Sequence, residues 1–244
     1  MRSDAIHRAL ESELDTARRR RGGGTPTVLD AGGGSGVWSV PLAKAGCVVT
    51  VVDPTPNALA TLQRRAAEEG VADRITAVQG DTDVLGEAAP EGGADLVLGH
   101  GLLEVVDDVP AALRDLAACT APDGALSVLV VNRYAAVLGR LLAGRVPEAL
   151  RMFRDPDGRL DGSASDTLQR RFDSDQLTAV LTGAGLSVEV LQGQGAVRDL
   201  LPGSALDDDP SAAEALAQLE DEAAARPPLR DIATRLHAMA RVRA

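Results

Sequence analysis

Val28-Leu29-Asp30-Ala31-Gly32-Gly33-Gly34-Ser35-Gly36 is the stretch that decides the fold. It reads as a short buried strand at Val28 and Leu29, a glycine-rich turn, and a helix expected to begin near Val37. Four glycines in five residues leave bare backbone, against which a ligand can lie directly. The helix start that follows offers unpaired N–H groups and the positive end of a dipole. No Gly-Lys-Ser/Thr follows, so a Walker phosphate loop is excluded. The pattern Asp-x-Gly-x-Gly-x-Gly has an acid at Asp30 and glycine at Gly32, Gly34 and Gly36. A plain glycine-rich surface loop is the competing reading, and the strand before and helix after weigh against it.

The chain around this loop has 244 residues, enough for one α/β domain with a modest insertion. Hydrophobic residues make up 45% and aromatics only 2%, so the core must be built from Leu, Val and Ala. A formal net charge of −11 argues against broad binding to nucleic acid or membrane, though it leaves room for a local basic patch. Cys47 and Cys119 are expected in the interior as small apolar residues rather than as a disulfide or metal ligands. No apolar run reaches the roughly 18 residues of a membrane span. Met1-Arg2-Ser3-Asp4 lacks a signal segment, so a soluble cytoplasmic protein is expected, without metal.

In order, residues 3–21 carry helical apolar spacing and end in Arg18-Arg19-Arg20-Arg21. These arginines suit a helix C-terminus; contact with nucleic acid is the sharper alternative. Residues 37–45 continue the helix after the glycine loop. Residues 47–52 form a continuous apolar run, as in a strand buried on both faces, and end at Asp53. An acid at that strand tip, 17 residues after Gly36, can accept both ribose hydroxyls of a nucleoside; capping the next helix is its plainer use. A helix over 55–69, a strand over 75–78, the turn Gly80-Asp81-Thr82-Asp83, a strand over 94–99, a helix over 109–119 and a strand over 125–131 follow. This alternation predicts a Rossmann-like, doubly wound, mostly parallel seven-stranded sheet with helices on both faces. Its ligand belongs beyond the strand C-terminal ends, where Gly32, Asp53, Asp83 and His100 fall.

From 132 to about 172 the alternation breaks into a helical insertion. It holds eight arginines (133, 140, 145, 151, 154, 159, 170, 171) against five acids, a local basic excess. A lid that attracts an anionic substrate and a solvated helical face are the two readings. A helix over 173–184, a strand over 186–191, an exposed acidic helix over 207–225, a further helix over 229–236 and a final antiparallel edge strand over 237–243 complete the expectation of a single domain, 1–244.

Residues 28–131 resemble the class I S-adenosylmethionine (SAM) dependent methyltransferases. Over nearly the whole chain the sequence resembles the tRNA wobble-uridine 5-carboxymethoxyuridine methyltransferase family. The resemblance is carried by Val28-Leu29-Asp30-Ala31-Gly32-Gly33-Gly34, His100-Gly101-Leu102-Leu103-Glu104-Val105, Asn132 and the tail Arg235–Arg241. It implies SAM as cofactor, S-adenosylhomocysteine as product, and cofactor contacts at Arg2, Asp30, Gly32, Gly33, Gly34, Asp53, Thr82, Asp83 and His100. Arg2 there pairs with the methionine carboxylate of SAM. Two features depart from that family: its lysine-rich run after residue 132 is replaced by dispersed arginines, and Val105 stands where it has an aromatic residue.

A carboxylate is already nucleophilic at neutral pH, so such a transfer needs positioning rather than a general base. Arg133, Arg140, Arg145, Arg151 and Arg198 are the candidates to orient an acceptor carboxylate or phosphate. The expected acceptor is a carboxylate, with tRNA as one carrier. A small-molecule O- or N-methyltransferase is the second reading, favoured by the net charge, and a noncatalytic SAM-binding module is the third.

Overall fold

The computed structural model describes residues 5–160, 170–201 and 210–242. The chain opens with α1 (Ala5–Arg20), β1 (Thr27–Ala31), α2 (Ser39–Lys44), β2 (Val48–Asp53), α3 (Pro56–Glu68) and β3 (Ile75–Gln79). It continues with α4 (Leu85–Ala88), β4 (Ala94–His100), α5 (Val109–Ala118) and β5 (Thr120–Val131). Then come α6 (Arg133–Leu142), α7 (Val146–Arg154), α8 (Ser174–Gly183), β6 (Leu186–Gln194), α9 (Pro210–Ala224) and β7 (Arg235–Val242). The seven strands form one sheet in the order β3-β2-β1-β4-β5-β7-β6. Six strands run in the same direction and β7 runs antiparallel to both of its neighbours, β5 and β6. The strand order reverses direction between β1 and β4, so the crevice beyond their C-terminal ends is where such a sheet takes a ligand.

Each face of the sheet buries an aliphatic layer. Ile6, Leu10 and Leu14 of α1 and Leu59 and Leu62 of α3 pack on Val49, Val51, Leu96 and Leu98. On the other face, Leu113 and Leu116 of α5 and Leu177 and Leu181 of α8 pack on Leu29, Val97, Leu126 and Val128. The parity of the strands sorts these side chains. On β4, Leu96 and Leu98 face α1, and His100, two residues on, takes the same side. Cys47 and Cys119 are buried and unlinked, as expected; burial pushes the Cys47 thiol up to about 11.

The arginine run closing α1 is structural. Asp95, buried at the start of β4, accepts from Arg21 Nε at 2.7 Å and from the Thr27 amide at 2.8 Å. Arg20 pairs with the same carboxylate at 3.6 Å, and Arg18 donates to the Ala45 carbonyl. These contacts tie α1 to the entrance of the sheet, beyond the dipole role read from sequence.

Four expectations are corrected. The helix after the glycine loop begins at Ser39, not near Val37. Gly34 and Gly36 sit at φ of 55° and 78°, and the Gly36 N–H closes a turn on Gly33 O, so the chain is still turning there. Pro122-Asp123-Gly124 lies within β5 as a bulge: Ala94 pairs with Thr120, yet Leu96 pairs with Ala125. The helix expected over 229–236 is a single turn at Arg230–Ile232, and Arg235 already belongs to β7. Finally, β7 is interior rather than an edge, because its backbone is paired on both sides; β6 is the edge strand. Of the acidic helix expected over 207–225, α9 covers 210–224, and residues 207–209 lie outside the described residues.

Candidate cofactor and methyl-transfer site

β1 ends on Ala31 and releases the chain into the glycine loop between β2 and β4. Asp30 stays below the loop. It is buried, its carboxylate accepts a short hydrogen bond from Ser39 Oγ, and a Cβ on Gly33 would stand 2.6 Å from its Cγ. Gly33 therefore has to be glycine for Asp30 to fit. Burial pushes the Asp30 carboxyl up to about 6, partly offset by the Ser39 hydrogen bond and reinforced by the charge of Asp53. Asp30 braces the loop from beneath and does not line the cavity above it.

Asp53 closes β2 and sits beside the loop. Its Oδ2 accepts from the Gly34 N–H at 2.9 Å and its Oδ1 from the Thr55 N–H at 2.8 Å. A carboxylate has about four lone-pair sites, so about two remain. Asp53, Gly32, Thr55, Asp81, Thr82 and Leu102, with others, line a cavity of about 470 Å³ at the reversal point of the sheet. Gly32, at φ 72°, gives this cavity a wall of bare backbone.

Beyond β3, Asp81 caps the turn Thr82–Val84 through the Thr82 N–H at 2.7 Å. Thr82 and Asp81 line the cavity, whereas Asp83 lines a separate hollow with Asp115 and Cys119. Of the two acids in this turn, the one that lines the cavity is Asp81 rather than Asp83. Asp81 is the N-cap of the turn, two residues past the end of β3, and faces the crevice, while Asp83 lies inside the turn and faces the other hollow.

His100 ends β4, next to Gly101 and Leu102 of the cavity wall. Its Nε2 lies 2.8 Å from Ser127 Oγ on β5, and its ring meets Trp38 edge-on with centroids 4.8 Å apart. Its Nδ1 is shielded from solvent and has no hydrogen-bond partner among the described residues. Burial, and then the charges of His237, Arg235 and His7, hold its pKa well below the ordinary imidazole value, so the ring is neutral. Glu104 of the same segment is buried and accepts from the Val131 N–H, which pins the loop after β4 to the end of β5. Arg170 adds donors to the carbonyls of Leu103, Val106 and Asp107.

The basic island resolves mostly into internal contacts. Arg133 donates to Phe153 O at 2.5 Å and Pro156 O at 3.3 Å, capping the end of α7. Arg140 and Arg145 share Glu148, at 3.4 and 3.9 Å. Arg159 pairs with Asp157, and Arg171 donates to Gly158 O. Among the described residues, Arg151 and Arg154 are exposed with no ion pair. The α6–α7 hairpin has its own small core of Val137, Ala149, Met152 and Leu160, and none of its described residues lines the 470 Å³ cavity. Arg198 is exposed on the turn after β6, where Glu220 of α9 accepts its backbone N–H at 2.9 Å together with those of Ala196 and Val197. Arg2 lies outside the described residues. No cluster of three metal-type ligands occurs among the described residues, nor does a helix long and apolar enough to cross a membrane.

The sequence family described as "Methyltransferase domain" matches residues 2–191. The chain belongs to that family. A structure of an S-adenosylmethionine dependent methyltransferase from Mesorhizobium loti aligns with a TM-score of 0.62 at 19% identity, covering 96% of each chain. Magnesium protoporphyrin IX methyltransferase from Synechocystis, with bound S-adenosylhomocysteine, aligns at 0.59 and 15% identity over 97% of this chain and 83% of that one. Ubiquinone biosynthesis O-methyltransferase of Methylobacterium nodulans is 37% identical over 109 residues, 44% of this chain and 41% of that protein. The tRNA 5-carboxymethoxyuridine methyltransferase of Escherichia coli K12 is 29% identical over 136 residues, 55% of this chain and 51% of that protein. The matches thus span about half the length of these curated relatives. The class I SAM-dependent methyltransferase fold expected from residues 28–131 is the fold observed, and SAM is the cofactor of this family.

The donor set fits that cofactor. Asp53 keeps lone pairs for ribose hydroxyls, Gly32 leaves backbone bare, and His100 Nδ1 is a buried polar atom with no described partner.

Proposed function

We propose that this protein transfers a methyl group from SAM to an oxygen of a small-molecule acceptor. The carrying observation is Asp53: one carboxylate fixes Gly34 and Thr55 on either side and still has lone pairs for a ribose at the cavity. When bound, SAM supplies a sulfonium methyl that an acceptor lone pair takes by in-line displacement, leaving S-adenosylhomocysteine. The chain's own part is to hold the nucleoside between Asp53 and Gly32, with Thr82 and Asp81 on the far side of the cavity. Leu102, Val105, Val106 and Ala112 keep the neighbouring wall apolar, which strengthens the few polar contacts by excluding water.

The arginine contacts favour a small molecule over tRNA. A nucleic-acid enzyme needs cations free to replace phosphate counterions, and here most of the basic island is engaged inside the protein. A carboxylate on tRNA is the second reading, supported by the longer match to the Escherichia coli tRNA enzyme. Calorimetry with S-adenosylhomocysteine tests the cofactor site: binding heat is expected, and its absence overturns the reading. Methyl-labelled SAM, offered with a metabolite extract and with bulk tRNA, tests the acceptor: label is expected in the small-molecule pool. Label only in tRNA establishes the second reading. Label in neither pool, despite tight cofactor binding, marks a noncatalytic module.

A further inference from the structure

The chain has three histidines and one tryptophan, and all four gather at the C-terminal end of β4. His7 of α1 meets Trp38 with ring centroids 4.9 Å apart, Trp38 meets His100, and His100 faces His237 at 5.9 Å. Within this cluster runs a line of hydrogen bonds across four neighbouring strands. His100 Nε2 on β4 lies 2.8 Å from Ser127 Oγ on β5, which lies 2.8 Å from His237 Nε2 on β7. His237 Nδ1 lies 2.9 Å from the amide nitrogen of Gln192 on β6. Ser127 and His237 are fully buried.

The direction of this line follows from counting protons. Ser127 Oγ carries one hydrogen, and the two ring nitrogens are its hydrogen-bond partners among the described residues; with both rings neutral, that hydrogen goes to one nitrogen and the other nitrogen donates to Oγ. The tautomers of His100 and His237 are therefore opposite and coupled. The Gln192 amide nitrogen carries hydrogens and donates, so His237 Nδ1 accepts and the His237 proton sits on Nε2. That proton points at Ser127 Oγ, the Ser127 hydroxyl hydrogen turns to His100 Nε2, and the His100 proton is left on Nδ1. This is the same nitrogen that has no partner among the described residues while shut away from water. A buried donor without an acceptor is costly, about 1–3 kcal/mol, and calls for a ligand that completes it.

We propose that Gln192, His237 and Ser127 are positioning residues that fix His100 as its Nδ1–H tautomer, so that the ring gives the bound cofactor a hydrogen-bond donor rather than a base. The inference rests on the SAM site proposed above. Asp53 on β2 and His100 on β4 stand on opposite sides of the β1 loop, so a cofactor whose ribose is held at Asp53 would reach His100 with another of its polar groups. The low pKa of His100 agrees, because a ring that stays neutral keeps a single tautomer across the working pH range. The acceptor then has to bring its own nucleophilic lone pair, since the imidazole keeps its proton on Nδ1 and its other nitrogen is committed to Ser127.

The test is the ring 15N spectrum of histidine-labelled protein near neutral pH, with and without S-adenosylhomocysteine. Three histidines make it assignable, using His7→Gln to identify one ring. The expected wild-type result is a protonated Nδ1 and bare Nε2 on His100, with the reverse on His237. Saturating S-adenosylhomocysteine should shift the His100 Nδ1–H signal. A bare Nδ1, or a doubly protonated ring, overturns the relay; a ligand that binds by calorimetry without moving that signal overturns the contact. Ser127→Ala should leave His100 as mixed tautomers and weaken S-adenosylhomocysteine about 10-fold, the scale of one hydrogen bond. A variant that keeps the single Nδ1–H tautomer or full affinity overturns the role of Ser127. If the wild-type protein gives no binding heat, the cofactor reading fails by itself, and the tautomers of the free protein still decide the relay.

Discussion

Asp53 Oδ2 and the Gly34 N–H stand 2.9 Å apart, and this one contact joins the tip of β2 to the glycine loop of β1. It orders the bare backbone of the glycine loop, and the same residue lines the cavity; in the proposed site both would meet SAM. Asp53→Ala removes both functions together. The expected result is a loss of S-adenosylhomocysteine affinity of at least 10-fold in calorimetry, because two ribose hydroxyls lose their acceptor. Asp53→Asn keeps one acceptor oxygen and should fall between; affinity equal to wild type in both variants removes Asp53 from the site.

Gly33 is packed against the Asp30 carboxyl and Val51, with a virtual Cβ 2.6 Å and 2.8 Å from Asp30 Cγ and Val51 Cγ1. Neither neighbour has room to move within the sheet. Gly33→Ala should destabilise the fold by about 1–3 kcal/mol, the range of an overpacked core, read as the midpoint of urea unfolding. Gly86→Ala, where the Cβ meets open space, is the comparison and should change stability little. Equal effects of the two substitutions would remove steric crowding as the reason for glycine at 33.

The pH dependence of stability follows from Asp30, whose carboxyl rises from 3.8 to about 6 on burial. A raised acid binds its proton more tightly when folded. Its contribution to stability is complete below the unfolded value and is lost as pH rises through the folded one, here between about pH 4 and 6. A shift of about two units corresponds to roughly 3 kcal/mol. Asp30→Asn carries no such titration and can still accept from Ser39 Oγ. The difference in melting temperature between variant and wild type should therefore move in favour of Asp30→Asn between pH 4 and pH 7. A difference that stays constant with pH overturns the assignment.

How far the fold was readable depends on how local its causes are. The parallel half is written in continuous apolar runs such as Val48–Val52, and in glycines that force turns, so β1 to β4 emerge from short windows of sequence. The tail strand expected over 237–243 is present, but it begins at Arg235 and lies inside the sheet rather than at its edge. Leu236, His237, Ala238, Met239 and Ala240 are all interior, which erases the alternation of a half-exposed strand and hides both where the strand begins and that it is paired on both sides. The arginines were misjudged for a different reason. Their partners are carbonyls and acids set by tertiary packing, such as Phe153 O for Arg133 and Asp95 for Arg21, and no spacing rule reveals a backbone acceptor 20 or an acid 74 residues away. The line from Gln192 to His100 is hidden in the same way, with Ser127 and His237 110 positions apart in sequence and adjacent only across β5 and β7.

Asp95 gives a test of the structural role of the first arginine run. Asp95→Ala leaves the Thr27 amide and the Arg20 and Arg21 guanidiniums without their shared acceptor. The arginines are partly exposed and re-solvate, so the loss should be about 1–3 kcal/mol rather than that of a fully buried pair. Arg20→Ala with Arg21→Ala should reproduce most of that loss in urea unfolding. If instead the double variant keeps its stability, the anchoring role is lost and the run is again open to an outside partner.

Arg151 and Arg154 decide between the two acceptor classes. They are the exposed arginines of the helical insertion that no described acid engages, on a hairpin that stands apart from the cofactor cavity. If tRNA were the acceptor, removing two phosphate contacts would weaken its binding by about 10-fold or more and lower the salt slope of log affinity by about 2. For a small-molecule acceptor neither cation is needed. The expected outcome for Arg151→Ala with Arg154→Ala is unchanged S-adenosylhomocysteine affinity, unchanged labelling of the metabolite pool, and no salt-dependent tRNA binding in the parent protein to be lost. Gel-shift titrations of bulk tRNA at two salt concentrations measure this directly. Salt-steep binding by the parent that the double variant loses would place the acceptor on tRNA, with this hairpin as its dock.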